Sequence, residues 1–407
     1  MMSKKSPQLR FEGFTDDWEQ RKLGSLTTVV RGASPRPIQD PKWFDKESDI
    51  GWLRIADVTE QNGRIYHLEQ HISKLGQEKT RVLTEPHLLL SIAATVGKPV
   101  VNYVKTGVHD GFLIFLNPTF EREFMFQWLE MFRPKWQKYG QPGSQVNLNS
   151  ELVRNQEIVL PNYKEQQKIG SFFKQLDETI ALHQRKLDLL KEQKKGYLQK
   201  MFPKNGAKVP ELRFAGFADD WEERKLGEFS DVRDGTHASP KYVSQGHPMV
   251  TSKNLTHSGL DMTDVSFLTD KDFNEINKRS KVSIGDILFG MIGTIGNPVI
   301  VDRDDFAIKN VALIKEKTSN PITNKWLLQY LKSPSFNRFI QKENAGGTQK
   351  FIALGLIRDM KLRVPEFDEQ QKIGQFFKQL DDTITLHQRK LDLLKEQKKG
   401  FLQKMFV

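Results

Sequence analysis

The sequence contains no cysteine, and that absence excludes several kinds of structure and chemistry. Disulfide frameworks, cysteine-ligated zinc sites, iron–sulfur clusters and thiol nucleophiles all need this residue, so we expect none of them. The sequence also has no stretch of about 18 consecutive apolar residues, and charged residues follow Lys4 and Lys5 where a secretion signal would be apolar. We therefore expect a cytoplasmic protein without a membrane span.

Acidic residues are outnumbered by basic ones. The chain has 62 Lys and Arg against 51 Asp and Glu, which gives a formal net charge of +11. Such an excess favours a polyanionic partner before it says anything about the fold. At 407 residues the chain is long enough for two or three domains, each with a core of its own.

Two segments of the chain occur twice. The first, residues 7–24, reads PQLRFEGFTDDWEQRKLG and returns at residues 210–227 as PELRFAGFADDWEERKLG, with 14 of 18 positions identical. The second, residues 161–202, returns at residues 365–406 with 35 of 42 positions identical. Internal repeats of this kind indicate that the chain consists of two copies of one plan.

The stretches between the repeats barely resemble each other. If substitutions had accumulated uniformly after a gene duplication, the repeated and the variable segments would have diverged to the same extent. We interpret the repeated segments as meeting a common partner, or each other, and the variable stretches as meeting two different targets. A recent duplication with faster drift in loops is the alternative. The predicted organisation is an N-terminal repeated segment 1–24, a variable domain 25–160, a central repeated region 161–227, a second variable domain 228–364 and a C-terminal repeated segment 365–407.

Each long repeated segment has the periodicity of a coiled-coil helix. Seam positions recur at alternating spacings of four and three residues, with two polar interruptions: Ile169, Phe173, Leu176, Ile180, His183, Leu187, Leu190, Lys194, Tyr197 and Met201. Two such seams, beginning after Pro161 and Pro365, predict two helices that form an antiparallel coiled coil with a pseudo-two-fold internal repeat. Four leucines fall on the face opposite the seam and are predicted to contact a partner protein: Leu182, Leu189, Leu386 and Leu393.

Short β-rich runs broken by Gly, Pro and Asn indicate a mixed α/β (α+β) domain with a substantial β-sheet in each variable stretch. Several turns combine small residues with polar side chains of the kinds that hydrogen-bond base edges and phosphates. The alternative is that these turns only shape the domains. The predicted DNA-binding residues are Arg31, Ser34, Arg36, Arg54, Thr95, Lys98, Gln145 and Asn147 in the first stretch, and Arg233, Gly235, Thr236, His237, Lys253, Asn254, Thr294, Asn297, Gln349 and Lys350 in the second.

The sequence has no complete catalytic motif. Residues 93–98, AATVGK, are similar to the end of a phosphate loop, but Ile92 stands where the first glycine belongs and Pro99 where Ser or Thr should hold magnesium. Glu192 and Lys194 have the spacing of a nuclease motif but lie on the heptad helix without a paired aspartate. The Asn/Asp-Pro-Pro-aromatic element of amino-methyltransferases is also missing. We therefore predict neither a catalytic residue nor a metal site.

The order of these segments resembles that of the specificity (S) subunits of type I restriction-modification systems. In both halves a PELRFxGFxxxWExxKLG-like segment precedes an unrelated variable stretch, and a proline, EQQKI and a long LHQRKLDLLKEQKKGxLQKMF helix follow it. The resemblance covers essentially the whole chain. RGASPRP from Arg31 and RDGTHASP from Arg233 look like openings of the family's target recognition domains. GTIG at residues 293–296 matches the family's internal turn, and the first domain departs from it with ATVG at residues 94–97.

The resemblance implies a non-catalytic DNA-binding subunit. In the family each variable domain is a target recognition domain that reads one half of a bipartite double-stranded DNA site, while the helices space the domains and dock two methyltransferase (M) subunits. Restriction (R) subunits would join through the assembled complex. S-adenosylmethionine, ATP and magnesium would belong to the partner subunits, so this chain is expected to bind no cofactor. The alternative from another class is a coiled-coil scaffold that organises protein partners without reading DNA.

Overall fold

The computed structural model describes residues 6–136, 148–204, 206–257, 259–293, 295–317, 322–343 and 351–407. The chain divides into two compact units. The first comprises Met1–Gln184 and Lys390–Val407, and the second comprises Arg185–Arg389. Each unit therefore contains one variable stretch together with parts of both long repeated segments.

The first unit combines short strands with short helices. Its strands are β1 (Glu19–Lys22), β2 (Thr28–Arg31), β3 (Gly51–Trp52), β4 (Arg64–Ile65), β5 (Arg81–Leu83), β6 (Leu88–Ser91), β7 (Pro99–Asn102), β8 (Thr106–Val108), β9 (Phe112–Leu116) and β10 (Glu157–Leu160). Its helices are α1 (Leu23–Leu26), α2 (Ile55–Glu60), α3 (Lys74–Gln77), α4 (Arg122–Trp136), α5 (Ser150–Asn155) and a 3-10 helix at Pro41–Trp43, and the long helix α6 (Tyr163–Lys200) begins here.

A five-stranded sheet in the order β2-β9-β6-β7-β4 is the centre of the first unit. Its pairs are antiparallel except that β4 lies parallel to β7. Strands β6, β7 and β9 read LLLS, PVVN and FLIFL and are buried along almost their whole length, as continuous apolar strands should be. A second sheet has the order β3-β8-β5, and β1 pairs with β10.

The second unit repeats part of this plan. Its strands are β11 (Glu222–Lys225), β12 (Ser230–Asp234), β13 (His247–Val250), β14 (Leu255–Thr256), β15 (Gly259–Leu260), β16 (Ser266–Leu268), β17 (Ile287–Gly290), β18 (Gly296–Ile300), β19 (Ala307–Ile308), β20 (Val311–Glu316) and β21 (Lys361–Val364). Its helices are α7 (Leu226–Phe229), a 3-10 helix at Ser252–Asn254, α8 (Asp270–Ser280), α9 (Asn324–Lys332), α10 (Pro334–Glu343) and α11 (Leu354–Asp359), and the long helix α12 (Phe367–Met405) begins here.

Part of the sheet order of the first unit returns in the second. The sheet β12-β20-β17-β18 corresponds to β2-β9-β6-β7, and β11 pairs with β21 as β1 pairs with β10. Two smaller sheets, β16-β13-β19 and β14-β15, complete the unit. These sheets and helices confirm the predicted mixed α/β fold.

The two long helices confirm the prediction made from the heptad pattern. Helix α6 has 38 residues and α12 has 39, and each begins two residues after the expected proline. In the first unit the ring of Phe173 lies 5.8 Å from that of Phe406, whereas Gln184 accepts a hydrogen bond from Lys395 at 3.4 Å. Residue numbers rise along α6 from Phe173 to Gln184, while those of their partners fall along α12 from Phe406 to Lys395. The two segments therefore run antiparallel. The equivalent contacts in the second unit are Phe377 with Phe202 and Gln388 with Lys191.

The polar seam position near the end of each long helix carries an ion pair. Lys398 Nζ lies 2.6 Å from Asp177 Oδ1 in the first unit, and Lys194 Nζ lies 2.5 Å from Asp381 Oδ1 in the second. Asp177 also accepts a hydrogen bond from Gln127 Nε2 of α4 at 2.8 Å, so it joins both long helices to the variable domain. Asp381 has the same arrangement with Gln329 Nε2 of α9 at 3.3 Å.

The repeated Glu-Gln pair at the start of each long helix attaches two other segments to it. Glu369 is fully buried, and its two oxygens accept hydrogen bonds from Arg213 at 2.7 and 2.8 Å. The next residue, Gln370, accepts a hydrogen bond from the backbone N–H of Thr323 at 3.2 Å. The first unit has the same contacts, of Glu165 with Arg10 and of Gln166 with the backbone N–H of Glu121.

A glycine near the start of each long helix permits a close approach of the variable domain. A Cβ atom at Gly374 would lie 2.9 Å from the Cβ of Lys325 and 3.0 Å from the backbone nitrogen of Trp326. A Cβ at Gly170 would lie 2.8 Å from the backbone nitrogen of Phe124. By contrast, the Cβ of an alanine at Gly400 would meet no heavy atom of the described residues within 4 Å.

We predict opposite effects of alanine at these two kinds of glycine. Gly374→Ala should lower the free energy of unfolding by about 1–2 kcal/mol, since the added methyl group pushes α9 away from α12. Gly400→Ala should raise it by about 0.5–1 kcal/mol, because only the helix propensity changes. Denaturant titration of the two variants measures the difference, and equal effects would contradict the close-approach explanation.

Candidate nucleic-acid interface

The predicted opening of the first variable domain is a turn that follows strand β2. We call residues 31–37, and the corresponding residues 233–240, the opening turn of each unit. The backbone N–H of Gly32 donates to Phe112 at 2.9 Å, and that of Ala33 donates to Val108 at 3.0 Å. A Cβ at Gly32 would lie 2.7 Å from the carbonyl oxygen of Val108, so glycine lets the turn lie against the segment between β8 and β9.

Three of the predicted DNA-binding side chains in this turn converge on Asp110. Arg31 Nε donates to the backbone oxygen of Asp110 at 2.6 Å. Ser34 Oγ donates to Asp110 Oδ1 at 2.8 Å, and Arg36 Nη2 donates to Asp110 Oδ2 at 2.6 Å. The structure therefore gathers Arg31, Ser34 and Arg36 around an aspartate that is distant in the sequence.

Asp110 is held as a carboxylate. Partial burial raises its pKa, but the hydrogen bond from Ser34 and the charges of Arg36 and Arg31 outweigh that effect, so the pKa lies below its ordinary value. The neighbouring His109 has a pKa lowered by burial. At neutral pH the turn thus combines two guanidinium groups with one carboxylate.

The opening turn of the second unit has the same backbone arrangement. Gly235 donates to Val311 at 2.9 Å, and Thr236 donates to Ile308 at 3.0 Å. Asn310 follows Ile308 by two residues, as Asp110 follows Val108, although the segment between the two acceptors is one residue shorter in the second unit, Ile308 to Val311 against Val108 to Phe112.

Different side chains meet at this position in the second unit. His237 contacts Asn310 Oδ1 through Nδ1 at 2.8 Å and Asp234 Oδ2 through Nε2 at 3.0 Å. Asp234 also pairs with Arg279 of α8. Arg233 is engaged with the carboxylate of Asp231 at 2.7 Å and donates to the backbone oxygen of Arg279 at 3.2 Å. The second turn therefore presents the imidazole of His237 beside the ion-paired guanidinium of Arg233, whereas the first presents the two guanidinium groups of Arg31 and Arg36.

The second unit also brings a second predicted segment to this place. Ser252 Oγ, in the 3-10 helix that contains Lys253 and Asn254, donates to the backbone oxygen of Asn310 at 3.1 Å. Lys253 is exposed and pairs with Asp264 at 2.8 Å. Asn254 is buried, and its amide donates to the backbone oxygens of Asp261 and Asp264, so it supports the turn from inside.

The other predicted residues are engaged within their domains. Arg54 pairs with the buried Asp57 at 2.8 Å, and the largely buried Lys98 donates a hydrogen bond to Asn62 at 2.8 Å. The hydroxyl of Thr95 donates to Ser91 at 3.0 Å, and the side-chain amide of Asn297 donates to the backbone oxygen of Leu255 at 3.1 Å. Thr236 Oγ1 accepts a hydrogen bond from the N–H of Ala238 at 3.1 Å. Gln145, Asn147, Thr294, Gln349 and Lys350 lie outside the described residues.

Sequence reasoning did not find Asp110, Asp234, Asn310 or Arg279. Asp110 and Asn310 reach the opening turns through strand pairing, at separations of more than 70 residues. Asp110 and Asn310 have one sequence feature in common. Each is a polar residue that stands two positions after a valine or isoleucine and shortly before a buried strand.

The four leucines opposite the seam lie at the surface of the long helices. Leu182 and Leu386 are 67% and 68% exposed, and Leu189 and Leu393 are 52% and 53% exposed. The exposed fractions agree between the two long helices because the two helices have nearly the same sequence. Across the described residues no helix is both long enough and apolar enough to cross a membrane.

A sequence model of the family described as the type I restriction modification DNA specificity domain matches residues 15–192 and again residues 218–396. The type I restriction enzyme MjaVIII specificity subunit of Methanocaldococcus jannaschii is 21% identical over 402 residues, which cover 95% of this chain and 91% of that protein. The putative type I restriction enzyme MjaX specificity subunit of the same organism is 21% identical over 421 residues, with 95% and 92% covered.

Two solved structures share the fold. The S subunit of a type I restriction-modification system from M. genitalium has a TM-score of 0.65 at 16% identity, and 99% of each chain is covered. A chain from work on complex assembly and conformational transition of the type I restriction-modification system has a TM-score of 0.53 at 17% identity, with 96% of this chain and 97% of that chain covered.

Proposed function

Because the chain belongs to the type I restriction modification DNA specificity family, we propose that it is the DNA-reading, non-catalytic subunit of a type I restriction-modification complex. Each unit reads one half of a bipartite double-stranded DNA site through its variable domain. The long helices supply the surface on which methyltransferase subunits dock, and the complex carries out adenine-specific methylation and restriction.

The observation that carries this proposal is one backbone arrangement with two different sets of side chains. Both opening turns use a glycine to lie against the segment before a central strand, and both are held by the residue at position 110 or 310. The first turn carries arginines at its surface and the second carries His237. A backbone frame that the two units share, with different polar side chains on it, suits a protein that reads two different DNA sequences.

Within this proposal the predicted residues divide into two groups. Arg31, Arg36, His237 and Lys253 are surface side chains suited to bases or phosphates. Arg54, Lys98 and Asn254 are committed to partners inside their domains, so we propose that they shape the turns. A lysine that is largely buried against Glu130 has little freedom to reach a phosphate.

The proposed partners follow from the family and from the exposed leucines. Two methyltransferase subunits would cover Leu182, Leu189, Leu386 and Leu393, and restriction subunits would join through the assembled complex. S-adenosylmethionine, ATP and magnesium would be bound by those subunits, and this chain would hold none of them.

DNA binding at several salt concentrations tests the DNA-reading function. The chain assembled with its methyltransferase subunits should bind DNA that contains the methylated motif roughly 1000-fold more tightly than a scrambled duplex. Both affinities should fall as salt rises, because phosphate contacts release counterions. Equal affinity for the two duplexes, or no binding, would favour a scaffold protein instead.

A glutamate in place of the exposed leucines tests the docking surface. The double variant Leu182→Glu and Leu386→Glu should weaken methyltransferase binding at least tenfold, because each substitution places a charge in an apolar contact. Ile284→Glu is the matched control, since Ile284 is also 67% exposed but lies outside the long helices. Sedimentation analysis of the mixtures gives the subunit ratio, and an unchanged ratio with unchanged affinity would contradict docking at these leucines.

A further inference from the structure

We propose that Asp110 is a positioning residue for base recognition: it holds the opening turn of the first unit so that Arg31 presents its two terminal nitrogens to a guanine of the first half-site. This inference rests on the proposed DNA-reading function and extends it to one position of the site.

Arg31 is held at its Nε atom. Its Nε donates to the backbone oxygen of Asp110 at 2.6 Å, while its two terminal nitrogens have no hydrogen-bond partner among the described residues. A guanidinium anchored through Nε keeps both terminal nitrogens available on the side that faces away from the anchor. That fork matches the O6 and N7 acceptors of guanine in the major groove.

The carboxylate of Asp110 joins two further residues of the turn. Asp110 Oδ1 and Oδ2 accept hydrogen bonds from Ser34 and Arg36, and the backbone N–H of Asp110 donates to Ser34 Oγ at 3.2 Å. The turn is therefore tied at three residues to a single point. This restriction reduces the number of orientations that Arg31 can adopt, so less entropy is lost when it contacts a base.

The ion pair between Arg36 and Asp110 contributes little to folding. The Arg36 side chain is 71% exposed and that of Asp110 is 35% exposed. Exposed ion pairs of this kind contribute little to the free energy of unfolding. A carboxylate at a DNA-facing surface also repels phosphate groups, so its presence there is better explained by orientation of the turn than by affinity or stability.

The second unit supplies an internal comparison. Asn310 follows Ile308 as Asp110 follows Val108 and, together with Asp234, contacts the two ring nitrogens of His237. The nearby Arg233 is already engaged with Asp231 and with the backbone of Arg279. The second half-site should therefore not show the same guanine requirement at the equivalent position.

The test uses the full chain assembled with its methyltransferase subunits and the variants Asp110→Ala and Arg31→Ala. Affinity is measured for the native site, for a set of sites with single substitutions in the first half, and for a scrambled duplex. Arg31→Ala should lower discrimination against the wrong base at one G·C position by roughly 5- to 100-fold. Asp110→Ala should lower discrimination at that same position, by a smaller factor.

The readout that separates positioning from a structural role is binding to the scrambled duplex. Asp110→Ala removes a negative charge and releases Arg36 for phosphate contact, so affinity for scrambled DNA should rise a few-fold and the salt slope should steepen by about one unit. Structural damage would instead weaken binding to every duplex. Asn310→Ala is the mirror control, and its effect should be confined to the second half-site.

Unchanged base preference in the first half-site for Asp110→Ala, with the native site still bound tightly, would overturn the positioning role. Loss of preference with equally weakened binding to all duplexes would also overturn it. If the unmodified chain in its complex does not distinguish the native site from scrambled DNA, the proposed function itself fails, and that outcome is visible before any variant is made.

Discussion

Exchange of residues 228–364 for the equivalent stretch of a related chain should change one half of the recognised DNA site and leave the other half and the spacing between the halves unchanged. The physical reason is the way in which the variable domain is attached. Gln370 contacts the backbone N–H of Thr323, and Gly374 lies against the backbone of Trp326. Contacts to the backbone tolerate changes of side chain, so a different variable domain can occupy the same place.

Sequencing of methylated DNA from cells that carry the exchanged chain measures this effect. The unmodified chain in the same cells is the control for both half-sites. A change in both halves would mean that recognition is shared between the variable domains, which would contradict the modular interpretation.

Glu369→Ala should destabilise the second unit by about 3–5 kcal/mol, the largest effect on stability that we expect from a single substitution. Glu369 is fully buried and accepts hydrogen bonds from both nitrogens of the Arg213 fork and from Trp221 Nε1 at 3.0 Å. Its removal leaves a largely buried guanidinium without its hydrogen-bonded carboxylate and a buried indole N–H without an acceptor.

The matched control is Asp305→Ala, because Arg303 and Asp305 form a similar two-point pair on the surface. The side chains of that pair are 43% and 54% exposed, so the expected loss is below about 1 kcal/mol. Denaturant titration with hydrogen exchange locates the loss in the second unit. A loss for Glu369→Ala no larger than that for Asp305→Ala would contradict the assigned role of the buried pair.

The helical part of the structure could be predicted because its signals are local. The heptad spacing from Ile169 to Met201 predicted the long helix, and the two leucines on its opposite face are exposed as expected. Lys194, predicted only as a polar interruption of the seam, has an ion-pair partner in Asp381 of the other long helix. That partner could not be assigned from periodicity, since it depends on the register between the helices.

The residues of the candidate interface could be predicted only in part, because side chains distant in the sequence are brought together by strand pairing in the sheet. Small residues and arginines identified the opening turn, but Asp110 reaches Arg36 only through the pairing of β2 with β9. Lys98, which lies beside a glycine turn and was predicted to bind DNA, pairs with Glu130 of helix α4, a contact that the sequence did not predict. Burial of this kind is a property of packing and leaves no local pattern.

The methylated motif of the native complex tests the central claim most directly. If each unit reads one half of the site, genome-wide mapping of methylated adenines should give a single bipartite motif, with two short specified halves separated by unspecified base pairs. The first half should contain the guanine that depends on Arg31. A continuous motif without an unspecified spacer, or the absence of any methylation that depends on this chain, would contradict the account.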